Sequence, residues 1–114
     1  LIITYYPGYC VHPDHEALAE ATVTAVTRLP KEKRPRIHAQ AFSKDHLANL
    51  GDRDVILDTS AFWDVKYRAI QAHKTQTAMR VEQVENALAG TPEERAAVIK
   101  TFSIEALYEY KILD

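Results

Sequence analysis

The first six residues of the chain are almost wholly apolar, β-branched or aromatic, which is typical of a β-strand. Leu1 to Tyr6 ends at the Pro7-Gly8 pair, a strong turn signal. The segment is not a signal peptide, because Tyr5, Tyr6 and Pro7 stand where a longer apolar stretch and a cleavage site belong. Since a lone strand at the start of a chain needs neighbours to pair with, we expect that an N-terminal part has been removed or lies on another chain.

A helical pattern follows the loop from Tyr9 to Pro13. Apolar residues recur three or four positions apart and predict a helix from about Asp14 to Arg28, with Pro30 ending the run. The predicted apolar face consists of Leu18, Ala21, Ala25 and Leu29, with Val26 beside them.

Further along the chain, the pattern predicts two more strands and three more helices. The strands are Arg36 to Phe42, where Ile37, Ala39 and Ala41 alternate with His38 and Gln40, and Asp54 to Leu57. The helices are Ala61 to Thr75 after the N-cap candidates Asp58, Thr59 and Ser60, Ala78 to Leu88, and Pro92 towards Thr101 with Thr91 as N-cap. Residues 43–53 should form a loop with a helical turn, and the tail 102–114 should pack on the body.

The alternation of strands and helices predicts one α/β domain over residues 1–114 with a mainly parallel sheet. Three strands are few for such a sheet, which again indicates a missing part. Acidic and basic residues number 16 and 14, giving a net charge of −2 and no reason to expect nucleic acid or a membrane surface as partner. The single cysteine, Cys10, excludes an internal disulfide and is typical of a reducing compartment such as the cytoplasm.

The stretch from Tyr9 to Glu16 places two histidines at the junction between the first strand and the first helix. Ligands of α/β sheets bind at the carboxyl ends of strands. His15, on the first helical turn, can point a ring nitrogen into this crevice as a metal ligand, and His12 can face the same crevice. Asp14 can accept a hydrogen bond from His12 and favour its imidazolium form, which suits a developing oxyanion or a departing amine.

A plainer interpretation of the same residues stays open. Asp14 can serve only as an N-cap, and Glu16 only as a favourable charge in the first helical turn. His12 and His15 are then surface residues, and one H-x-x-H pair does not fill a zinc shell. Spacing alone does not separate the two interpretations.

The predicted helix from Ala61 to Thr75 carries a lysine and a histidine on its apolar stripe. Lys66 follows Trp63 by three residues, and His73 follows Ile70 by three, so both join that stripe. Either Lys66 extends to solvent and His73 is hydrogen-bonded in the core, or both reach the mouth of a polar pocket.

Two motifs resemble those of the LmbE/PIG-L deacetylases. Residues 6–17, Y-P-G-Y-C-V-H-P-D-H-E-A, resemble the second signature of that family, and are most similar to its bacillithiol-biosynthesis branch. Lys66, Ala69, Ala72, His73 and Gln76 resemble its later K-x-x-A-x-x-A-H-x-x-Q pattern. The resemblance covers nearly the whole chain and implies the C-terminal half of a Rossmann-like α/β fold.

The resemblance also implies an activity. Such enzymes use one Zn²⁺ to remove acetate from an N-acetylglucosamine carried on another group, which is malate in the bacillithiol branch. His15 matches a zinc ligand of the family, and His12 matches a protonated histidine that stabilises the oxyanion or protonates the leaving amine. Asp14 matches the carboxylate that orients that histidine. The residues expected to line or support the sugar pocket are Tyr9, Lys66, His73 and Gln76.

One departure from the family pattern is large. The first family signature, H-P-D-D-E, supplies two further zinc ligands and the general base, and it does not occur in this chain. The resemblance therefore implies that this chain alone binds zinc poorly and does not turn over substrate. Three interpretations follow: part of an enzyme, a non-catalytic binding or scaffold module, or a site completed by a second, N-terminal chain that stays associated. A homo-oligomer stays open as a further partner.

Overall fold

The computed structural model describes all 114 residues, which form four strands and five α-helices. The strands are β1 Ile2–Tyr5, β2 Ile37–Gln40, β3 Val55–Asp58 and β4 Ile104–Tyr110. The helices are α1 Pro13–Thr27, α2 His46–Leu50, α3 Trp63–Ala72, α4 Lys74–Leu88 and α5 Pro92–Thr101. None of the helices combines the length and the apolar character that a membrane span requires.

The strands form one sheet in the order β1-β2-β4-β3, so β1 lies at an edge. β1 and β2 are parallel, with Ile2 opposite Ile37 and Tyr5 opposite Gln40. β2 and β4 are antiparallel, with Ala39 opposite Tyr108. The α/β class is confirmed, but the sheet is mixed rather than mainly parallel. The reason is that the tail contributes an antiparallel strand, β4, that was predicted only to pack on the body.

The chain divides into two compact units. The first contains Leu1–Ile56 and Ala106–Asp114, and the second contains Leu57–Glu105. The boundary passes through β3 and β4, each of which contributes residues to both units. The prediction of one domain over residues 1–114 stays a prediction.

In the first unit, α1 packs on β1 and buries Ala19 and Val26. Ile37 and Ala39 of β2 are buried as well, which confirms the predicted alternation in that strand. Full burial of a side chain such as Ile37 contributes about 1.5–3 kcal/mol. The predicted apolar face of α1 was right only at Val26: its other four side chains are exposed, because the helix turns the Ala19–Val26 side towards the sheet. The exposed residues are Leu18, Ala21, Ala25 and Leu29.

In the second unit, α3, α4 and α5 surround a small core of Tyr67, Val84 and Phe102. Trp63 and Ile70 pack against it, so the predicted apolar face of α3 is confirmed. α5 begins at the predicted residue, with a complete capping box between Thr91 and Glu94 and with Pro92 in the first turn. At α3 the predicted N-cap residues do not cap the helix. A short 3₁₀ turn over Ser60–Phe62 precedes α3, so Phe62 occupies the N-cap position instead.

Candidate active site

The loop after β1 is held to both neighbouring elements by hydrogen bonds. Gly8 has a φ of +86°, in the left-handed region that glycine tolerates, and its N–H donates to the Glu16 carboxylate on α1. The carbonyl of Tyr9 accepts from the N–H groups of Phe42 and Ser43, at 2.8 and 3.1 Å. The predicted catalytic segment is therefore tied to the carboxyl ends of both β1 and β2, the edge at which ligands bind in α/β sheets.

A strained turn at Val11 immediately precedes the two histidines. The N–H of His12 donates to the carbonyl of Cys10 at 2.8 Å, which closes a three-residue turn around Val11. Val11 has a φ of +69° and an exposed side chain. Turns of this kind are rare, and a β-branched residue in the left-handed region stores roughly 1–3 kcal/mol of strain. Such strain persists where the surrounding contacts fix the backbone, as the Gly8–Glu16 and Tyr9–Phe42 bonds do here.

His12 is the N-cap of α1. Its backbone is extended, and its Nδ1 accepts from the N–H of Asp14 at 3.1 Å, while Pro13 occupies the first helical position. This geometry corrects two predictions. Asp14 is not the cap, and its carboxylate does not accept from His12, because Oδ2 lies 4.0 Å from Nδ1 and the backbone N–H satisfies that nitrogen instead. A ring nitrogen that accepts a hydrogen bond carries no proton, so this contact corresponds to the tautomer with its proton on Nε2.

His15 lies on the first turn of α1 with its ring stacked on Tyr5. The centroids are 4.1 Å apart and the planes differ by 12°. Phe42 flanks the same ring at 6.2 Å, and the ring of His12 lies 5.2 Å from it. The stack covers a face of the imidazole and leaves the nitrogens at its edge, where neither one forms a hydrogen bond within the chain. The two predicted imidazoles are thus brought together at one corner.

The residues present fit a metal ion only in part. His15 offers ring nitrogens free of protein hydrogen bonds, and His12 offers Nε2. No group of three or more His, Cys, Asp or Glu side chains in the chain could hold a metal ion together. A zinc site takes three or four protein ligands, so the chain's own residues can supply part of one shell.

Cys10 is structural in this geometry. Its side chain is buried, and Sγ lies 3.0 Å from the carbonyl of Tyr6. Burial, followed by interaction with Glu16, raises the pKa of the Cys10 thiol to about 11. The thiol therefore stays protonated near neutral pH and is a poor nucleophile.

The residues predicted to line the sugar pocket divide between the two units. Tyr9 lies in the first unit, where its ring meets Tyr6 edge to face at 5.4 Å. The other three lie in the second unit. Lys66 is half-buried and forms an ion pair with Glu105 at 2.6 Å, and it also donates to Thr59 at 3.1 Å. His73 is exposed at the break between α3 and α4, not on the apolar stripe, because α3 ends at Ala72.

Three residues around this corner were given no site role from the sequence. Tyr5 supports His15, Phe42 brings the end of β2 against the same rings, and Glu16 anchors the turn at Gly8. The sequence indicates where Tyr5 and Glu16 lie. Tyr5 stands at the end of the strand, and Glu16 lies one turn into the helix that follows. Phe42 has none, because its position depends on the parallel pairing of β1 with β2.

The chain is similar to three proteins that carry the same name. The chain is 43% identical over 110 residues to a Bacillus cereus protein named "Probable N-acetyl-alpha-D-glucosaminyl L-malate deacetylase 2". Proteins of the same name from Bacillus subtilis and Bacillus anthracis are 39% and 40% identical over 108 and 84 residues. These matches cover 96%, 95% and 74% of the chain.

The matched region is only part of each relative. It covers 49%, 47% and 37% of their lengths, so the chain spans about half the length of the first two relatives. No protein-family model matches the chain, and no solved structure matches it significantly. Nearly all of the chain is therefore homologous to about half the length of proteins that are named N-acetylglucosaminyl malate deacetylases.

Proposed function

We propose that this chain supplies part of the active site of a metal-dependent deacetylase of the LmbE/PIG-L family, as the C-terminal portion of its Rossmann-like fold. The reaction is hydrolysis of the acetamide of an N-acetylglucosaminyl conjugate, such as N-acetylglucosaminyl malate. The observation that carries the proposal is the His12–His15 corner, in a chain 43% identical to a relative with that name. The metal is Zn²⁺, with His15 as the ligand that this chain contributes.

The stacking of His15 on Tyr5 supports its role as a ligand. A metal ligand binds best when its ring is already oriented, because less conformational freedom is then lost on binding. Tyr5 and Phe42 provide that orientation through ring contacts and leave the imidazole nitrogens free. A zinc ion held by His15 together with ligands from outside this chain would supply Lewis-acid polarisation of the acetyl carbonyl and activation of water.

His12 is the group that handles the proton. In its neutral form, Nδ1 accepts the N–H of Asp14 and the Nε2–H is free to donate to the oxygen of the acetyl group as negative charge develops there. When His12 is protonated, its Nδ1 also carries a hydrogen. After a small rotation of the ring, that N–H donates to the Asp14 carboxylate, which lies 4.0 Å away. As the C–N bond breaks, the imidazolium can give its Nε2 proton to the departing amine, which leaves neutral His12, acetate and the glucosaminyl conjugate with its amine free.

The test is a fusion of this chain with the part of the Bacillus cereus relative that it does not match. We expect the fusion to bind one zinc ion and to release acetate from N-acetylglucosaminyl malate. His15→Ala should lose the metal, whereas His12→Ala should keep it and slow turnover by about 10²–10⁴-fold. Retention of stoichiometric zinc by His15→Ala would show that the ligand assignment is wrong.

A second arrangement of the same experiment separates the interpretations that involve another chain. The unmatched part of the relative is produced as a separate polypeptide and mixed with this chain. Acetate release by the mixture supports a site that two chains can complete. A folded, zinc-loaded fusion that releases no acetate would instead support a non-catalytic binding module.

A further inference from the structure

A cavity of about 390 Å³ lies in the first unit, away from the histidine corner. It begins at Ile37, the first residue of β2, whereas His12 follows the carboxyl end of β1. Because β1 and β2 are parallel, the two places lie at opposite ends of the strands. The residues that matter in this cavity are Lys31, Arg34, Ile37, Tyr110, Lys111 and Asp114.

The guanidinium of Arg34 is fixed in direction before it meets any ligand. Its Nε donates to the carbonyl of Leu29 at 3.0 Å, and one terminal nitrogen donates to the carbonyl of Thr27 at 2.8 Å. Thr27 is the last residue of α1, where carbonyls have no partner within the helix, and Leu29 lies two residues beyond it. The side chain is only 16% exposed, and its remaining nitrogen faces the cavity.

That remaining nitrogen already holds a carboxylate. It lies 2.9 Å from both oxygens of Asp114, and Lys31 approaches the same group at 3.1 Å. These two cations hold the pKa of the Asp114 carboxyl below its ordinary value of 3.8. The Asp114 side chain thus shows which chemical group this end of the cavity accepts.

The charges of the cavity are not balanced by Asp114 alone. Three cationic side chains, Lys31, Arg34 and Lys111, line it with one carboxylate. Ile37 and Tyr110 provide apolar surface between the charged groups, and the volume is within the range of small-molecule sites. An occupant that carries two negative groups on a short carbon skeleton matches this arrangement better than a single carboxylate does.

We propose that this cavity is a second ligand site, which takes a small organic dianion with two carboxylates, and that the Asp114 side chain occupies its Arg34 end as an internal competitor. A ligand carboxylate replaces Asp114 on Arg34, and its second carboxylate is received by the ammonium groups of Lys31 and Lys111. The site is independent of the deacetylase proposal, because it uses none of the residues at the histidine corner.

The test is titration of the 114-residue chain with succinate at constant ionic strength, followed by the amide NMR signals of Ile37 and Tyr110. Asp114→Asn removes the competing charge at nearly unchanged shape. We expect this variant to bind succinate at least 10-fold more tightly than the original chain, because a tethered competitor acts at an effective concentration in the millimolar range or above. Signals near His12 should not move.

Three further substitutions in the Asp114→Asn background locate the site. Arg34→Lys keeps the charge but cannot hold the two backbone carbonyls and the ligand carboxylate at the same time with the guanidinium geometry, and we expect it to weaken binding about 10-fold. Arg28→Lys, at the exposed end of α1, is the matched control and should have no effect. Lys111→Met removes a cation that makes no ion pair in the chain. This variant replaces Arg34→Lys as the test of the site if the Arg34 variant fails to fold.

Three outcomes would overturn the proposal. The first is an absence of saturable succinate binding by the Asp114→Asn chain, which would leave the Arg34–Asp114 pair as a structural tie only. The second is equal weakening by Arg28→Lys and Arg34→Lys, which would indicate general charge attraction. The third is equally tight binding of inorganic phosphate, which has one anionic centre and would contradict the requirement for two carboxylates.

Discussion

The imidazole of His15 lies nearly parallel to the phenol ring of Tyr5, with 4.1 Å between the ring centroids. This contact joins the last residue of β1 to the first turn of α1. It fixes the ring plane of His15 without engaging either ring nitrogen. The proposed metal ligand, on an otherwise half-exposed helix turn, therefore has its orientation set by the strand that precedes it.

The stack leads to a prediction about metal affinity. In the fusion described above, Tyr5→Ala should weaken zinc binding by about 10-fold, because groups that orient a ligand contribute 10–100-fold to metal affinity. Tyr5→Phe keeps the ring and is the matched control, so its affinity should stay within about 2-fold of the original. Competition with a chelator measures both. Equal affinity of the Ala and Phe variants would contradict a role for the stack.

His12 combines a structural role with its proposed catalytic one, and the two can be separated. His12→Ala should lower the free energy of unfolding by about 1 kcal/mol, because the N–H of Asp14 loses its capping partner. His12→Asn should retain most of the stability, since asparagine is a strong N-cap. Urea unfolding of the 114-residue chain measures the difference.

The same pair of variants tests the chemistry. Asparagine cannot transfer a proton at neutral pH, so in the fusion both His12→Asn and His12→Ala should lose turnover by about 10²–10⁴-fold. Full activity of the Asn variant would show that capping is the only role of His12.

Cys10 should resist modification while the chain is folded. Because burial raises the pKa of its thiol to about 11, almost none of it is thiolate at pH 8. We expect reaction with a thiol reagent such as iodoacetamide to occur at the rate of unfolding or local opening, and to become fast in 6 M guanidinium. A folded chain that reacts as fast as free cysteine would contradict the buried position of Sγ.

The sequence predicted the strands and helices better than the way in which they pack. α1 has two sets of apolar residues, and spacing favours the longer row that starts at Leu18 over the Ala19–Val26 side that is buried. Only the position of the sheet decides between them. β4 did carry a signal, since Ile104, Ala106, Tyr108 and Tyr110 are apolar or aromatic at every second position, but it stands in a tail where no neighbouring strand was expected.

At the candidate site, residue types and order predicted that His12 and His15 lie at one corner, but not how each is held. The cap on α1 is the histidine itself, which depends on the strained turn at Val11 and is not visible in the spacing. His46, which was given no site role from the sequence, lies 2.8 Å from the hydroxyl of Tyr108 in β4, and that hydroxyl donates to the carbonyl of Gly51.

The pair between Arg34 and Asp114 leads to a prediction about pH. The pKa of Asp114 is lower in the folded chain than its ordinary value of 3.8, so the folded state binds the proton less readily than the unfolded state does. The stabilisation from this carboxylate is therefore fully present above the unfolded pKa and is lost as the pH falls through the folded value.

Asp114→Asn should unfold at lower urea concentration than the original chain between pH 5 and 8, and the difference should shrink steadily below pH 3.8. Glu32→Gln, on the exposed turn beside Lys31, is the matched control and should show no such convergence. A difference between the original chain and the Asp114→Asn variant that is independent of pH would mean that the ion pair does not hold the tail.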